Sequence, residues 1–336
     1  MNNQQPPAMI HLQARCSAND FSSGWPAPVQ DFWQQLQHGT LQNERGQTLH
    51  YYFHLVPDAN TAIVLSNGRI EMASKYSEVM YDIVGAGCSV FILDHCGQGQ
   101  SDRLLDDRQK GHIQHFDHYS ADWHQFVEQV VQSHSHQRLI ALCHSMGSAI
   151  FCNYLLNYPT HPFVGAVLCS PMLGIYTAGI PMPLLIPGVA AIHWLDQLAR
   201  PQSSYLTGQG PYKPQPFQQN RLTSCQMRYQ WFQSIYQAEP GLQLGGVTLS
   251  WLIAAWQVIQ RLQQEGSSIQ LPLLVLQAKA DKVVSNGYQR RFVKQRPSSR
   301  QLIGMDGARH ELLMEQDAIR ARCYHAINAF INSLPS

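Results

Sequence analysis

Residues 139–149 read Leu-Ile-Ala-Leu-Cys-His-Ser-Met-Gly-Ser-Ala, a short apolar run that meets a serine and is followed at once by small residues. The run has the length and composition of a buried parallel strand, and helical spacing begins after Met146, so Ser145 falls on the junction. A strand-to-helix turn this tight strains the serine backbone and lifts its hydroxyl out of the sheet. It also needs small neighbours two positions away on either side. Gly147 meets that need. Cys143, which stands where a Gly-x-Ser-x-Gly pattern has its first glycine, meets it less well.

The flanking sequence alternates strand and helix. A hairpin turning at Gly46 is predicted over 40–56, then a strand at 61–66, a helix at 73–83 and a strand at 89–93. A helix follows at 119–131, then the strand 138–143 that delivers Ser145, a helix at 146–158 and a strand at 164–169. This is the cadence of βαβ units and predicts a mostly parallel central sheet covered by helices on both faces. The alternation stops over 172–246, which is rich in proline, aromatics and glutamine and carries an apolar stretch, 180–198, broken by Pro181, Pro183 and Pro187. We read 172–246 as an inserted cap of short helices over the carboxyl edge of the sheet, offering apolar surface to a greasy substrate. A helix at 248–262 leads back to a strand at 271–277, a helix at 286–294, a last strand at 300–303 and a closing helix at 318–331. The expected organisation is a loosely held leader (1–36, with one or two helical turns at 32–36), a core in two parts (37–171 and 247–336) and the cap between them.

Composition narrows the function. Only 13% of the 336 residues are charged, and a net charge of +1 gives no field to steer nucleic acid, so a nucleic-acid partner is not expected. Eight cysteines scattered without a Cys-x-x-Cys pair read as buried free thiols of a reducing compartment, not as a disulfide framework or zinc site. No signal peptide is visible and no run approaches a membrane span, which predicts a cytoplasmic protein. The apolar cap stretch 180–198 is expected to allow contact with the inner face of a membrane. Gly97 and Gly99 form a Gly-x-Gly, but the third glycine of a dinucleotide fingerprint is missing and no helix follows at once. His112, His115 and His118 recur every third residue, yet Gly111 and the lack of a carboxylate at fixed spacing favour a loop without metal.

Serine hydrolysis needs a nucleophile, a base to take its proton and an acid to fix the base's tautomer. Ser145, Asp281 and His310 each follow a predicted strand, and their order in the chain is the one that α/β-hydrolases use. Asp306 is the rival acid, but it sits too near His310 in sequence to brace the ring easily. Two backbone N–H groups must also meet the oxyanion. Met146, after the nucleophile, supplies one, and Arg69, in the Asn67-Gly68-Arg69 loop, supplies the other. His144 cannot easily reach back to Ser145, because adjacent residues at a sharp turn point apart, so it is read as structural and not as the base.

The segments Asn67-Gly68-Arg69-Ile70-Glu71, Asp94-His95-Cys96-Gly97-Gln98-Gly99-Gln100-Ser101, Cys143-His144-Ser145-Met146-Gly147, Gln277-Ala278-Lys279-Ala280-Asp281 and Gly307-Ala308-Arg309-His310-Glu311 carry a family likeness. Together they resemble the signature segments of the monoacylglycerol-lipase and lysophospholipase group of α/β-hydrolases, most of all the bacterial inner-membrane lysophospholipases. The resemblance runs over 37–332. It implies hydrolysis of the acyl ester of a lysophospholipid or related single-chain glycerolipid through an acyl-enzyme, with no metal or organic cofactor. It also implies that Asn67, Gly68, His112 and His144 surround the substrate. A monoacylglycerol lipase, a general esterase or thioesterase, and a non-catalytic lipid-binding protein are the alternatives. Cys143, Ser148 and Cys96 depart from the pattern, the first two standing for glycines and the last for an arginine, and none removes a catalytic group. Arg69 and Glu71 either meet a phosphate head group or pair with each other; the sequence leaves both open.

Overall fold

The computed structural model describes residues 9–335. Eight strands form one sheet: β1 (Gln37–Gln42), β2 (Thr48–His54), β3 (Thr61–Ser66), β4 (Ser89–Leu93), β5 (Arg138–His144), β6 (Phe163–Cys169), β7 (Leu273–Ala278) and β8 (Arg300–Met305). Their spatial order is β1-β2-β4-β3-β5-β6-β7-β8. β1 and β2 pair antiparallel, as the turn at Gly46 predicts, and β2 runs antiparallel to β4; all later pairings are parallel. The fold is that of an α/β-hydrolase.

The central strands β3 to β7 are apolar on both faces because both faces are covered. Along β5, Leu139, Ala141 and Cys143 join one core while Ile140 and Leu142 join the other. The first core is closed by α3 (Asp117–Phe126), α4 (Met146–Asn157), α7 (Leu249–Glu265) and α8 (Asn286–Lys294), through residues such as Trp123, Phe151, Ile259 and Phe292. The second is closed by α1 (Ala27–Gln34), α2 (Ser77–Gly85) and α9 (Asp317–Ser333), through Phe32, Met80 and Phe330 among others. All eight cysteines are buried and free. Among the described residues no helix is long and apolar enough to cross a membrane.

Three expectations need correction. The first helix covers Ala27–Gln34, not 32–36, because Pro26 serves as its N-cap and sets the entry. The leader is not loosely held where it is described; residues 1–8 of that expectation lie outside the described residues. Asn328 and Asn332 on α9 each exchange two hydrogen bonds of 2.8–2.9 Å with the backbone of Leu12 and Ile10, so asparagine side chains act there as a strand partner. Ile10, Leu12 and Phe21 are buried as a result. Finally, the stretch expected as short, proline-broken helices contains one helix of 18 residues, α5 (Met182–Ala199). Pro181 is its N-cap and Pro183 lies in the first turn, where no N–H is needed, so only Pro187 removes a helical hydrogen bond.

The next helix, α6 (Gln226–Ala238), is tied to the core by buried charge. Arg228 grips Glu78 of α2 through two bonds of 2.8 Å, and Arg320 of α9 bonds Glu78 and, at 2.7 Å, Asp82. These side chains are withdrawn from water, so each charge depends on its partners. Glu78→Gln, which leaves two buried guanidinium groups short of a counter-charge, is expected to lower the unfolding free energy by about 3–5 kcal/mol in urea titration.

Candidate active site

The site lies at the carboxyl ends of β3, β5, β7 and β8, where loops leave the sheet on one side. Ser145 joins β5 to α4 with φ 49° and ψ −115°, a left-handed conformation that L residues adopt only when neighbours hold it. The hold is visible: the Ser145 N–H donates to Cys169 O at 3.0 Å, and its carbonyl accepts from Met172 N at 3.0 Å. Gly147 is obligatory, since a Cβ there would stand 2.1 Å from Ser66 O and 2.6 Å from Asn67 O. Cys143 is different: its thiol is buried in the core beneath α4 with Met146 and Ala149, and burial pushes its pKa well up, so it fills space as a small neutral group. Cys96 is likewise buried, its thiol directed at Asp102 O.

His310 Nε2 lies 2.8 Å from Ser145 Oγ, and His310 Nδ1 lies 2.7 Å from Asp281 Oδ2. Asp281 follows β7 and His310 follows β8. The other Asp281 oxygen accepts the Val283 and Val284 N–H groups at 2.7 and 3.0 Å. Burial alone would raise the Asp281 pKa, but the His310 hydrogen bond and these N–H groups outweigh it and hold the carboxylate below its ordinary range. Asp306, the rival, is exposed and pairs with Lys279 at 2.8 Å. The three residues named from the sequence are therefore joined in one hydrogen-bonded relay, with Asp281 and His310 on different loops.

The loop after β3 packs against the elbow. Met146 N–H opens α4 and Arg69 N–H follows Gly68; among the described residues neither donates to a protein acceptor, which leaves both free for an oxyanion. Gly68 N–H is committed differently, to Glu71 Oε2. Asn67 is fully buried, and its side-chain amide finds no partner among the described residues. His112 is buried with Nδ1 3.0 Å from Thr248 Oγ1, and it lines a cavity of about 240 Å³ with His193, Gln197 and Ser250. Burial above all, with His193 and Lys110 nearby adding to it, lowers its pKa to about 4, so it stays neutral.

His144 is turned away from Ser145 Oγ, as the sharp turn requires. Its Nδ1 lies 3.1 Å from Glu71 Oε2 and its Nε2 lies 3.3 Å from the His310 carbonyl. Glu71 is thereby a hub. It accepts from Gly68 N–H, from Tyr76 OH at 2.7 Å and from Lys75 Nζ at 2.8 Å, and Lys75 reaches on to Glu311 at 2.6 Å. Sequence reasoning singled out Glu71 but missed Lys75 and Tyr76 as its partners and Glu311 as the second partner of Lys75; the i, i+4 spacing of Glu71 and Lys75 was the one available signal. Buried as it is, Glu71 is held well below its ordinary pKa by His144 and then Lys75, and it raises that of His144 in turn. The hub joins the loop after β3 to the loop of His310.

A depressed carboxylate stabilises the fold above its unfolded pKa, and that contribution is lost as pH falls through the folded value. Glu71→Gln is expected to lower Tm clearly at neutral pH and progressively less toward strongly acid pH, read by paired thermal melts. It is also expected to cut kcat by about ten- to a hundredfold, because the oxyanion loop loses its anchor.

Comparison with known proteins identifies the family. The family described as Serine aminopeptidase, S33 matches residues 57–317. The probable lysophospholipase L2 of Haemophilus influenzae is 33% identical over 91% of this chain and 95% of its own length. Lysophospholipase L2 of Escherichia coli is 32% identical over 94% of this chain and 93% of its own. Among solved structures, a soluble variant of monoglyceride lipase from Saccharomyces cerevisiae, in complex with a substrate analog, superposes with a TM-score of 0.65 at 18% identity, covering 88% of this chain and 95% of that one. At that identity the likeness speaks for the fold alone. With the family match spanning most of the chain and the bacterial relatives aligned nearly end to end, the chain belongs to the serine aminopeptidase S33 family of α/β-hydrolases, together with the lysophospholipases L2.

Proposed function

We propose that this chain is a carboxylic ester hydrolase acting on the fatty acyl ester of a lysophospholipid or related single-chain glycerolipid. The observation that carries the reading is the continuous relay from Ser145 through His310 to Asp281, on a chain that aligns over nine-tenths of its length with lysophospholipases L2. Ser145 Oγ–H gives its proton to His310 Nε2 and attacks the ester carbonyl, while His310 Nδ1–H donates to Asp281 and keeps the tautomer fixed. Met146 and Arg69 N–H groups meet the negative oxygen of the tetrahedral intermediate; each such donor is worth about 2.7–4 kcal/mol in the transition state. The deacylated glycerol moiety, a glycerophosphodiester when the substrate is a lysophospholipid, leaves with the proton from His310. Water, activated by the same histidine, then hydrolyses the acyl-enzyme. A non-catalytic lipid-binding role is disfavoured by a relay in which every position is filled.

Residues 172–246 form the cap in this reading, and α5 is its outward element. Leu184, Trp194, Leu195 and Leu198 on this helix are between 57% and 73% exposed, far more apolar surface than a helix facing only water carries. We propose that α5 meets the lipid surface from which the substrate comes, with apolar and aromatic side chains seated at the headgroup boundary.

Ser145→Ala is expected to reduce ester turnover at least a thousandfold with an unchanged circular-dichroism spectrum and to abolish labelling by a fluorophosphonate. Retained turnover would remove Ser145 from its role. Replacing Trp194 and Leu198 with serine is expected to weaken co-sedimentation with phosphatidylethanolamine vesicles severalfold while hydrolysis of a soluble short-chain ester is preserved; equal binding by both proteins would remove the membrane contact.

A further inference from the structure

The sequence leaves Arg69 two occupations, pairing with Glu71 or meeting a ligand, and the structure removes the first. Both Glu71 oxygens are engaged by Gly68, Lys75, Tyr76 and His144. Among the described residues no carboxylate lies within 4 Å of the Arg69 guanidinium. The group is instead half-buried against aromatic surface. Nη1 donates to Gly245 O at 2.9 Å, and the guanidinium carbon stands 5.8 Å from the Trp251 ring centroid. Burial lowers its pKa to about 10, the Tyr236 and Tyr119 hydroxyls opposing the shift in part.

A guanidinium carries five N–H donors in a planar fork, and among the described residues only Nη1 has a protein acceptor. A partly desolvated cation without an acid costs free energy that an incoming anion recovers, and the fork matches the paired oxygens of a phosphate. Its position makes the choice of anion specific. The backbone N–H of this same residue is the expected oxyanion donor, so the guanidinium is tethered to the reaction centre. The same number of covalent bonds separates the Arg69 nitrogen from its guanidinium carbon as separates the ester carbonyl carbon of a lysophospholipid from its phosphorus. The two ends of this residue are thus spaced by as many bonds as the two ends of that substrate that it would meet.

We propose that the Arg69 guanidinium binds the head-group phosphate and selects phosphorylated single-chain glycerolipids over neutral monoacylglycerols. The inference rests on the acyl-ester reading above. It assigns to Arg69 a binding role in addition to that of its backbone. A guanidinium that only pins the 241–246 segment through Gly245 would have no preference between the two substrates.

The test is Arg69→Met, which retains the backbone N–H and most of the apolar stem. The readout is the ratio of kcat/KM for lysophosphatidylethanolamine to that for the monoacylglycerol of equal chain length, in which any shared loss at the oxyanion cancels. The ratio is expected to fall about ten- to a hundredfold, the range for losing a charged hydrogen-bonding partner, and to recover in part in Arg69→Lys. Glycerophosphoethanolamine is expected to inhibit wild-type hydrolysis of a neutral short-chain ester competitively, with Ki rising by a similar factor in Arg69→Met. A ratio and a Ki both unchanged within twofold overturn the proposal, even if both substrates slow together. Should Arg69→Met not fold, Arg69→Gln, which keeps a donor for Gly245, gives the same ratio and inhibition readings. A wild-type protein that cleaves monoacylglycerol but no lysophospholipid overturns the substrate reading instead. In that case the inhibition experiment alone decides the phosphate site: inhibition lost in the variant upholds it, and absence of inhibition overturns it.

Discussion

The left-handed backbone at Ser145 is the constraint on which the rest of the structure depends. A residue at φ 49° is stable only if its surroundings over-determine it. Here β6 holds its N–H, the loop after β6 holds its carbonyl, and the β3 carbonyl end presses on the turn so closely that position 147 admits no side chain. Three consecutive strands of a parallel sheet must be in register before that turn can exist. The hydroxyl is then presented where the loops after β7 and β8 deliver Asp281 and His310.

Around this point two kinds of polar organisation serve different ends. The Ser145–His310–Asp281 relay is short and linear and ends in backbone N–H groups that keep Asp281 ionised. The Glu71 hub is branched and buried and touches no reacting atom. It gathers Lys75, Tyr76 and His144 so that the oxyanion loop and the His310 carbonyl share one anchor. Buried charge of this kind is costly unless every member is satisfied, and Glu71 has a partner on each side. The closed hub also isolates Arg69. A carboxylate already saturated cannot neutralise the guanidinium two residues away, and a half-buried cation is left facing the aromatic surface of Trp251.

Much of the fold is legible in order along the chain. The strand and helix limits around β3, β4, α4 and α8 follow from local apolar periodicity, and Ser145, Asp281 and His310 follow from their placement after strands and from their order. Cys143 shows the limit of motif reading. The glycine of the pattern is absent, yet the turn closes, because a small thiol directed into the core under α4 leaves the elbow itself unobstructed. Two misreadings have physical causes as well. Prolines at 181 and 183 look like helix breakers but sit where a helix start needs no donor. The polar leader looks unattached because its partners, Asn328 and Asn332, lie at the other end of the chain.

The sequence by itself determined the parallel α/β architecture, the position of the strand-to-helix turn at Ser145 and the placement of Asp281 and His310 after strands, because each rests on local periodicity or on order along the chain. Only the tertiary structure decided which acid faces His310, which side chains Glu71 binds and that Arg69 has no carboxylate partner among the described residues. Those are questions of distance between residues as remote as 75 and 311 or 71 and 144. Hydrogen bonds and charge pairing fall off within a few ångströms, and no pattern along the chain encodes which distant loops the closed sheet brings that near.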